Sequence, residues 1–220
     1  MKLRLLALAA TAATALVAGS ASAAVTFTFI PGGASPAGGY TVVDNFDTAV
    51  GLTGSGFQIK TPPSDSDGAP PANSLPAGTA YLSVLGGGSA TYTFSGDVSS
   101  FEFDWGSVDS YNTLTINSSG ADPIIVPGLS FPNAANGNQV DPGTNGLFRV
   151  TGTDGEKFTS VTFSSSQNSF EVDNLAVANV INQTGGVPEP ASWALMILGF
   201  GGAGAALRGQ RRRTASAACA

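Results

Sequence analysis

Apolar and polar residues alternate with a period of two through much of the chain from Ala24 to Val180, and no stretch there has the 3.6-residue period of an amphipathic helix. In "SFEFDWG", Phe101, Phe103 and Trp105 fall on one side of an extended chain and Glu102 and Asp104 on the other, the pattern of a sheet with one dry face. In "KFTSVTFS", Thr159, Val161 and Phe163 oppose Ser160, Thr162 and Ser164, and Phe158 is a mismatch on the polar side. Such runs fall at Val25–Ile30, Tyr40–Phe46, Ala80–Leu85, Ala90–Phe94, Ser99–Trp105, Thr113–Asn117, Ile124–Val126, Leu147–Thr151, Phe158–Ser164 and Ser169–Val177. Clusters of Gly, Pro, Asn, Asp and Ser separate them. Many dry-faced strands without helices must cover one another, which predicts an all-β, two-sheet antiparallel sandwich over residues 24–180, with jelly-roll topology. Gly54–Gly78, containing "TPPSDSDGAPPANSLPAG", is the longest strand-poor stretch and is expected to be a mobile surface loop. Pro132–Gly146 forms a second loop of similar composition.

The two ends differ from this body. Residues 1–23 have the layout of a cleaved signal helix: Lys2 and Arg4, the apolar run Leu5–Ala18, then the small residues Ala21 and Ala23 at the cleavage site. Residues 181–187 read as a linker. Ala191–Leu207 is uncharged and at the lower limit of length for one short transmembrane helix, and Arg208, Arg211, Arg212 and Arg213 follow it. That arrangement holds the arginines on the cytoplasmic side and places the body outside. Residues 214–220 read as a disordered tail, and the only cysteine, Cys219, lies within it.

Between Ala24 and Gly186 there are three basic residues (Lys60, Arg149, Lys157) and fourteen acidic ones, a net charge of −11. Such a surface repels phosphate backbones, so nucleic acid is not expected as a partner, whereas cations and neutral glycans are open to it. The absence of histidine excludes Ser-His-Asp and Cys-His nucleophile arrangements and histidine-based zinc sites. Carboxylates, hydroxyls and amides are the groups left for binding or chemistry. No cofactor is required by this set, and calcium is the metal it would suit.

The order Pro188-Glu189-Pro190, two residues, Trp193-Ala194, an apolar run with "GFGGAG", then arginines resembles the C-terminal sorting signal of PEP-CTERM proteins, in its Trp-Ala variant, over residues 188–213. The same tail circulates under the label "ice-binding protein C-terminal domain". The resemblance implies recognition by an exosortase, a membrane protease-transpeptidase of Gram-negative bacteria that make exopolysaccharide. It further implies export through the inner membrane, transient anchoring, cleavage near the triplet, and delivery to the cell surface or extracellular matrix. "FEFDWGSVDSYNTLTI" (101–116) and "KFTSVTFSSSQNSFEVDNLAV" (157–177) resemble, more loosely, the galactose-binding-like or lectin-like sandwich bodies of exosortase-dependent surface proteins.

Within those segments Asp104, Trp105, Asp109, Tyr111 and Asn112 sit at a strand end and the loop after it, and Glu171, Asp173 and Asn174 in the last strand. One reading is a ligand or calcium site, with Trp105 or Tyr111 stacked on a sugar ring. The other is that Asp173 and Asn174 fix a turn or bulge and Trp105 is core. "DSDG" at Asp65–Gly68 resembles the start of a calcium loop, but the later ligands are absent. Threonine pairs in "TFT", "TYT" and "TLT" follow from strand alternation, and no regular repeat aligns them into an ice-facing array. The expected function is a non-catalytic surface or matrix protein associated with exopolysaccharide, with glycan binding as one form of that association; the alternatives are a purely structural component or a carboxylate-based glycoside hydrolase.

Overall fold

The computed structural model describes residues 25–130, 135–153, 155–181 and 197–200. Nine strands carry the body: β1 (Val25–Pro31), β2 (Thr41–Asp44), β3 (Leu52–Lys60), β4 (Tyr81–Gly106), β5 (Asn112–Ser118), β6 (Ile124–Pro127), β7 (Gly146–Gly152), β8 (Phe158–Ser165) and β9 (Phe170–Ile181). All pair antiparallel in one curled sheet. The long strand β4 is common to both halves of it. Through Ser89–Thr93 its neighbours are β3 and β8, with β5 and β6 beyond β8. Through Ser100–Trp105 its neighbours are β7 and β9, with β1 outside β7 and β2 outside β9.

The two halves turn their apolar faces toward each other. Phe103 of β4 meets Phe163 of β8 edge-on at 5.1 Å, and Phe101 meets Phe158 edge-on at 5.5 Å. Buried positions on β4 are even-numbered from Leu82 to Val98 in the core and odd-numbered from Phe101 to Trp105. This change of phase falls where the strand leaves β8, at Val98↔Phe158, and joins β7, at Ser100↔Thr151. Phe158, a mismatch to simple alternation, is fully buried, and the register shifts on both strands that flank it.

Three segments differ from the expectation. Residues 81–106 form one strand where three were expected, because Gly86–Gly88 and Ser95–Asp97 continue it without a break. Leu52–Lys60 is a strand where most of it was assigned to a loop. Its glycines mask it in the sequence, yet a Cβ on Gly88 would lie 2.1 Å from the Gly56 carbonyl oxygen, so the close approach of β3 and β4 requires glycine there. The remainder of the expected mobile loop is pinned to the sheet at a few points, where Ala69 and Ser74 are buried.

The expected signal helix with Ala21 and Ala23, most of the linker, the residues Pro188, Glu189, Pro190, Trp193, Ala194, Arg208, Arg211, Arg212 and Arg213, and the tail with Cys219 lie outside the described residues. Within the expected span 191–207, residues 197–200 are helical. Among the described residues no helix is long and apolar enough to cross a membrane.

Phe163 touches Phe46, Phe103 and Phe170 at once. Phe163→Ala is therefore expected to cost about 3–5 kcal/mol in chemical denaturation, as for other large aromatic deletions in a packed core.

Candidate functional site

On β4 and β9, Glu102, Asp104, Glu171 and Asp173 point away from the aromatic core, toward the outer face of the sheet. The alternation there suggested a wet side, but all four are almost completely buried. Two loops cover them. The first, around Ser35–Ala37, donates its Ser35 amide to Asp104 Oδ1 at 2.7 Å and its Ala37 amide to Glu102 Oε1 at 2.5 Å. The second, between β3 and β4, donates Asn73 Nδ2 to Asp104 Oδ1 at 3.1 Å, the Ser74 hydroxyl to Asp173, and the Ala69 amide to Glu171 Oε1 at 3.3 Å.

Among the described residues, only Glu102 has a cationic partner in this network: Arg149 Nη2 and Nε donate to its Oε2 at 2.7 and 2.9 Å. The other three carboxylates are held by neutral donors. Ser107 Oγ donates to Glu171 Oε2 at 2.7 Å, and Ser169 Oγ also donates to Glu171. Asn174 joins the two strands and the loop, its Nδ2 donating to Asp104 Oδ2, Ser74 Oγ and Leu75 O, each at 3.0 Å. Asn174 reaches them from a bulge in β9, where it has a positive φ of 50° and the register against β4 shifts between Glu102 and Asp104. Asparagine tolerates this conformation better than most residues.

Burial dominates the titration of this cluster. It pushes the Asp104 carboxyl up to about 7 against the opposing pull of the Asn174 and Ser35 hydrogen bonds, and the nearby Asp173 and Glu102 push the same way. It raises Asp173 to about 6 against the Ser74 and Asn174 bonds, and it raises Glu171 as well.

The remaining candidates separate from this cluster. Trp105 is fully buried and stacks on Phe170 at 4.6 Å with an interplanar angle of 14°, so neither face is open to a sugar; of the two readings the core one holds, and Trp105 leaves the candidate ligand site. Asn112 is buried too, accepting from the Asp109 amide at 2.8 Å and donating to Ser169 O at 2.9 Å. Asp109 and Asn112 thus fold their own turn. Tyr111 is partly exposed and donates its hydroxyl to Asn168 O at 2.9 Å. It lines a shallow groove of about 400 Å³ with Gly87, Gly88, Thr113 and Ser164. Among the described residues no group of three or more His, Cys, Asp or Glu is arranged to hold a metal ion. Asp65 of "DSDG" is engaged by Lys60 Nζ at 2.6 Å. Sequence reasoning missed Ser35, Asn73 and Ser74, which lie in loops with no periodicity to mark them.

The raised carboxyls set a sign for stability against pH. A carboxyl whose folded-state pKa exceeds its unfolded value stabilises the fold below the unfolded value, and that contribution is lost as pH rises through the folded value. Between pH 4 and 7, ionisation of Asp104 and Asp173 is therefore expected to lower the melting temperature. Asp104→Asn should reduce the slope of Tm against pH whatever its absolute stability. A wild-type Tm that climbs steadily over that window would contradict the assignment.

Comparisons with known proteins bear on the tail and only weakly on the body. No curated protein matches the chain. Among solved structures, the catalytic domain of a GH87 alpha-1,3-glucanase in complex with tetrasaccharides is similar at 13% identity and TM-score 0.38, over 69% of this chain but only 30% of that one. The carbohydrate binding module CBM6cm-2 from Cellvibrio mixtus lichenase 5A, in complex with cellotriose, is similar at 14% identity and TM-score 0.33, over 59% of this chain and 91% of that one. A beta-1,3-glucan binding CBM6 from Bacillus halodurans is similar at 18% identity and TM-score 0.31, over 57% and 87%. At these scores the likenesses carry no argument about a site or a ligand. The family model described as the PEP-CTERM protein-sorting motif matches residues 186–213, and the chain therefore carries a PEP-CTERM sorting signal behind its β-sheet body.

Proposed function

We propose that this protein is exported, held briefly in the inner membrane by residues 191–207, cut near Pro188-Glu189-Pro190 by an exosortase, and delivered to the cell surface or extracellular matrix. There its jelly-roll-like body associates with exopolysaccharide and does no catalysis. The sorting motif at residues 186–213 is the observation that carries the reading of location. The marginal length and glycine content of the apolar stretch suit a temporary hold better than a permanent one.

The carboxylates support the non-catalytic part. A glycoside hydrolase needs two carboxyl groups facing each other across an open cleft. The carboxylates that this fold gathers, Glu102, Asp104, Glu171 and Asp173, are spent on fastening loops and are closed to solvent. Calcium is not needed to hold those loops, since amide and hydroxyl donors already occupy the carboxylate oxygens.

Mass spectrometry of the surface-released protein tests the route. The mature C-terminus should lie near the Pro-Glu-Pro triplet, with Trp193–Arg213 missing, and Glu189→Ala should leave the tail attached in the membrane fraction. A surface-exposed wild-type protein that retains Trp193–Arg213 would reduce the tail to a simple anchor.

A further inference from the structure

The outer face of the other half-sheet has a different chemistry. Antiparallel pairing sets side chains of directly opposed residues on the same face, so the registers can be read across four strands as rows. Ser55 of β3, Ser89 of β4, Ser164 of β8 and Thr113 of β5 make the first row. Thr53, Thr91, Thr162 and Thr115 make the second, and Thr93, Ser160 and Asn117 the third. Thr91 and Thr162 share a hydrogen bond of 2.8 Å, and Asn117 Nδ2 donates to Ser160 Oγ at 2.9 Å.

These rows alternate with the core positions Ala90, Leu114, Ile116, Val161 and Phe163, so their residues point outward, and all are partly or fully exposed. At strand and residue spacings of ~4.8 and ~3.3 Å, the patch measures roughly 14 Å across the strands and roughly 13 Å along them. The first row runs into the groove, whose lining includes Thr113, Ser164 and Tyr111.

The absence of charge is what distinguishes this face. The body carries fourteen acidic residues and three basic ones, and none of them stands in the three rows. A face meant only to be solvated would share in that charge, and one meant for a cationic or anionic partner would concentrate it. Every side chain in the rows can both donate and accept a hydrogen bond, which matches the hydroxyls of an uncharged sugar chain. Tyr111 adds an aromatic surface at one end, and its bond to Asn168 O fixes the ring in advance of binding. The mixture of Ser, Thr and Asn, ending after three rows, lacks the uniform repeat that a crystal lattice would require.

We propose that the Tyr111 groove and the uncharged hydroxyl face leading from it form the docking surface for an extended, neutral polysaccharide. This rests on the exopolysaccharide association proposed above and gives it a place and a ligand class. The carboxylate cluster under the loops takes no part in it.

Affinity electrophoresis of the full chain through gels containing soluble β-1,3-glucan, dextran or anionic alginate tests the proposal. The wild type should be retarded by a neutral glucan and not by alginate. Thr162→Lys, at the centre of the face, Thr93→Lys, at its more exposed end, and Tyr111→Ala should each weaken retardation at least tenfold. Val140→Lys, at an exposed loop position outside the rows, should leave it unchanged. Melting curves identify any variant that is not folded, and one folded loss-of-binding variant is decisive.

Wild-type retardation that survives in all three folded variants would overturn this site while leaving polysaccharide association standing. Absence of retardation in every gel would overturn both. Preferential retardation by alginate would overturn the neutral ligand class. Concentration-dependent dimerisation abolished by Thr162→Lys, or thermal hysteresis abolished by it, without glucan binding, would assign the face to a second copy or to ice and overturn the proposal.

Discussion

Strand β4 is the constraint on which the rest of the body depends. Its 26 residues supply backbone partners to β3 and β8 along one part and to β7 and β9 along another, so both halves of the sheet are hung from one continuous segment. Because the halves share a strand, neither can slide against the other without breaking register on four neighbours. The apolar phase of β4 changes where it passes from β8 to β7, which keeps Leu82, Val84 and Ala90 in the same interior as Phe101, Phe103 and Trp105. The aromatic contacts Phe103–Phe163 and Trp105–Phe170 follow from that placement.

The outer faces of the two halves are used in different ways. On one, four buried carboxylates draw two irregular loops onto the sheet. Removing a carboxylate from water costs roughly several kcal/mol before its new partners compensate. Here the compensation comes from backbone amides, Ser hydroxyls and Asn174, with a guanidinium only at Glu102. The price appears in the raised titration of Asp104 and Asp173. Polar groups arranged in this way give two loops without regular backbone pairing a fixed position. On the other half the three hydroxyl rows carry no charge and remain open.

Much of the strand pattern was legible. "SFEFDWG" announced its inward residues correctly, and "KFTSVTFS" did so for Val161 and Phe163 but not for Phe158, which sits inward beside the register shifts on its two neighbours; a period of two holds only while the local register is regular. Leu52–Lys60 was not legible because Gly54 and Gly56, which permit its close approach to β4, are the same residues that mark loops elsewhere. The candidate site was half legible. Asp104, Glu171, Asp173 and Asn174 do belong to one region, as their sequence positions suggested, but their burial depends on loops tens of residues away that carry no periodic signal.

By itself the sequence determined that the body is built of strands, which residues of most strands face inward, that histidine and cysteine chemistry are absent from the body, and that residues 186–213 carry a sorting signal. These are properties of local spacing and residue type. Only the tertiary structure decided that Trp105 is core, that the strap between β3 and β4 is fastened to buried carboxylates, and that scattered Thr and Ser residues stand in common rows. Each of these turns on which strand lies beside which and in what register, and that is fixed by packing between residues far apart in the chain.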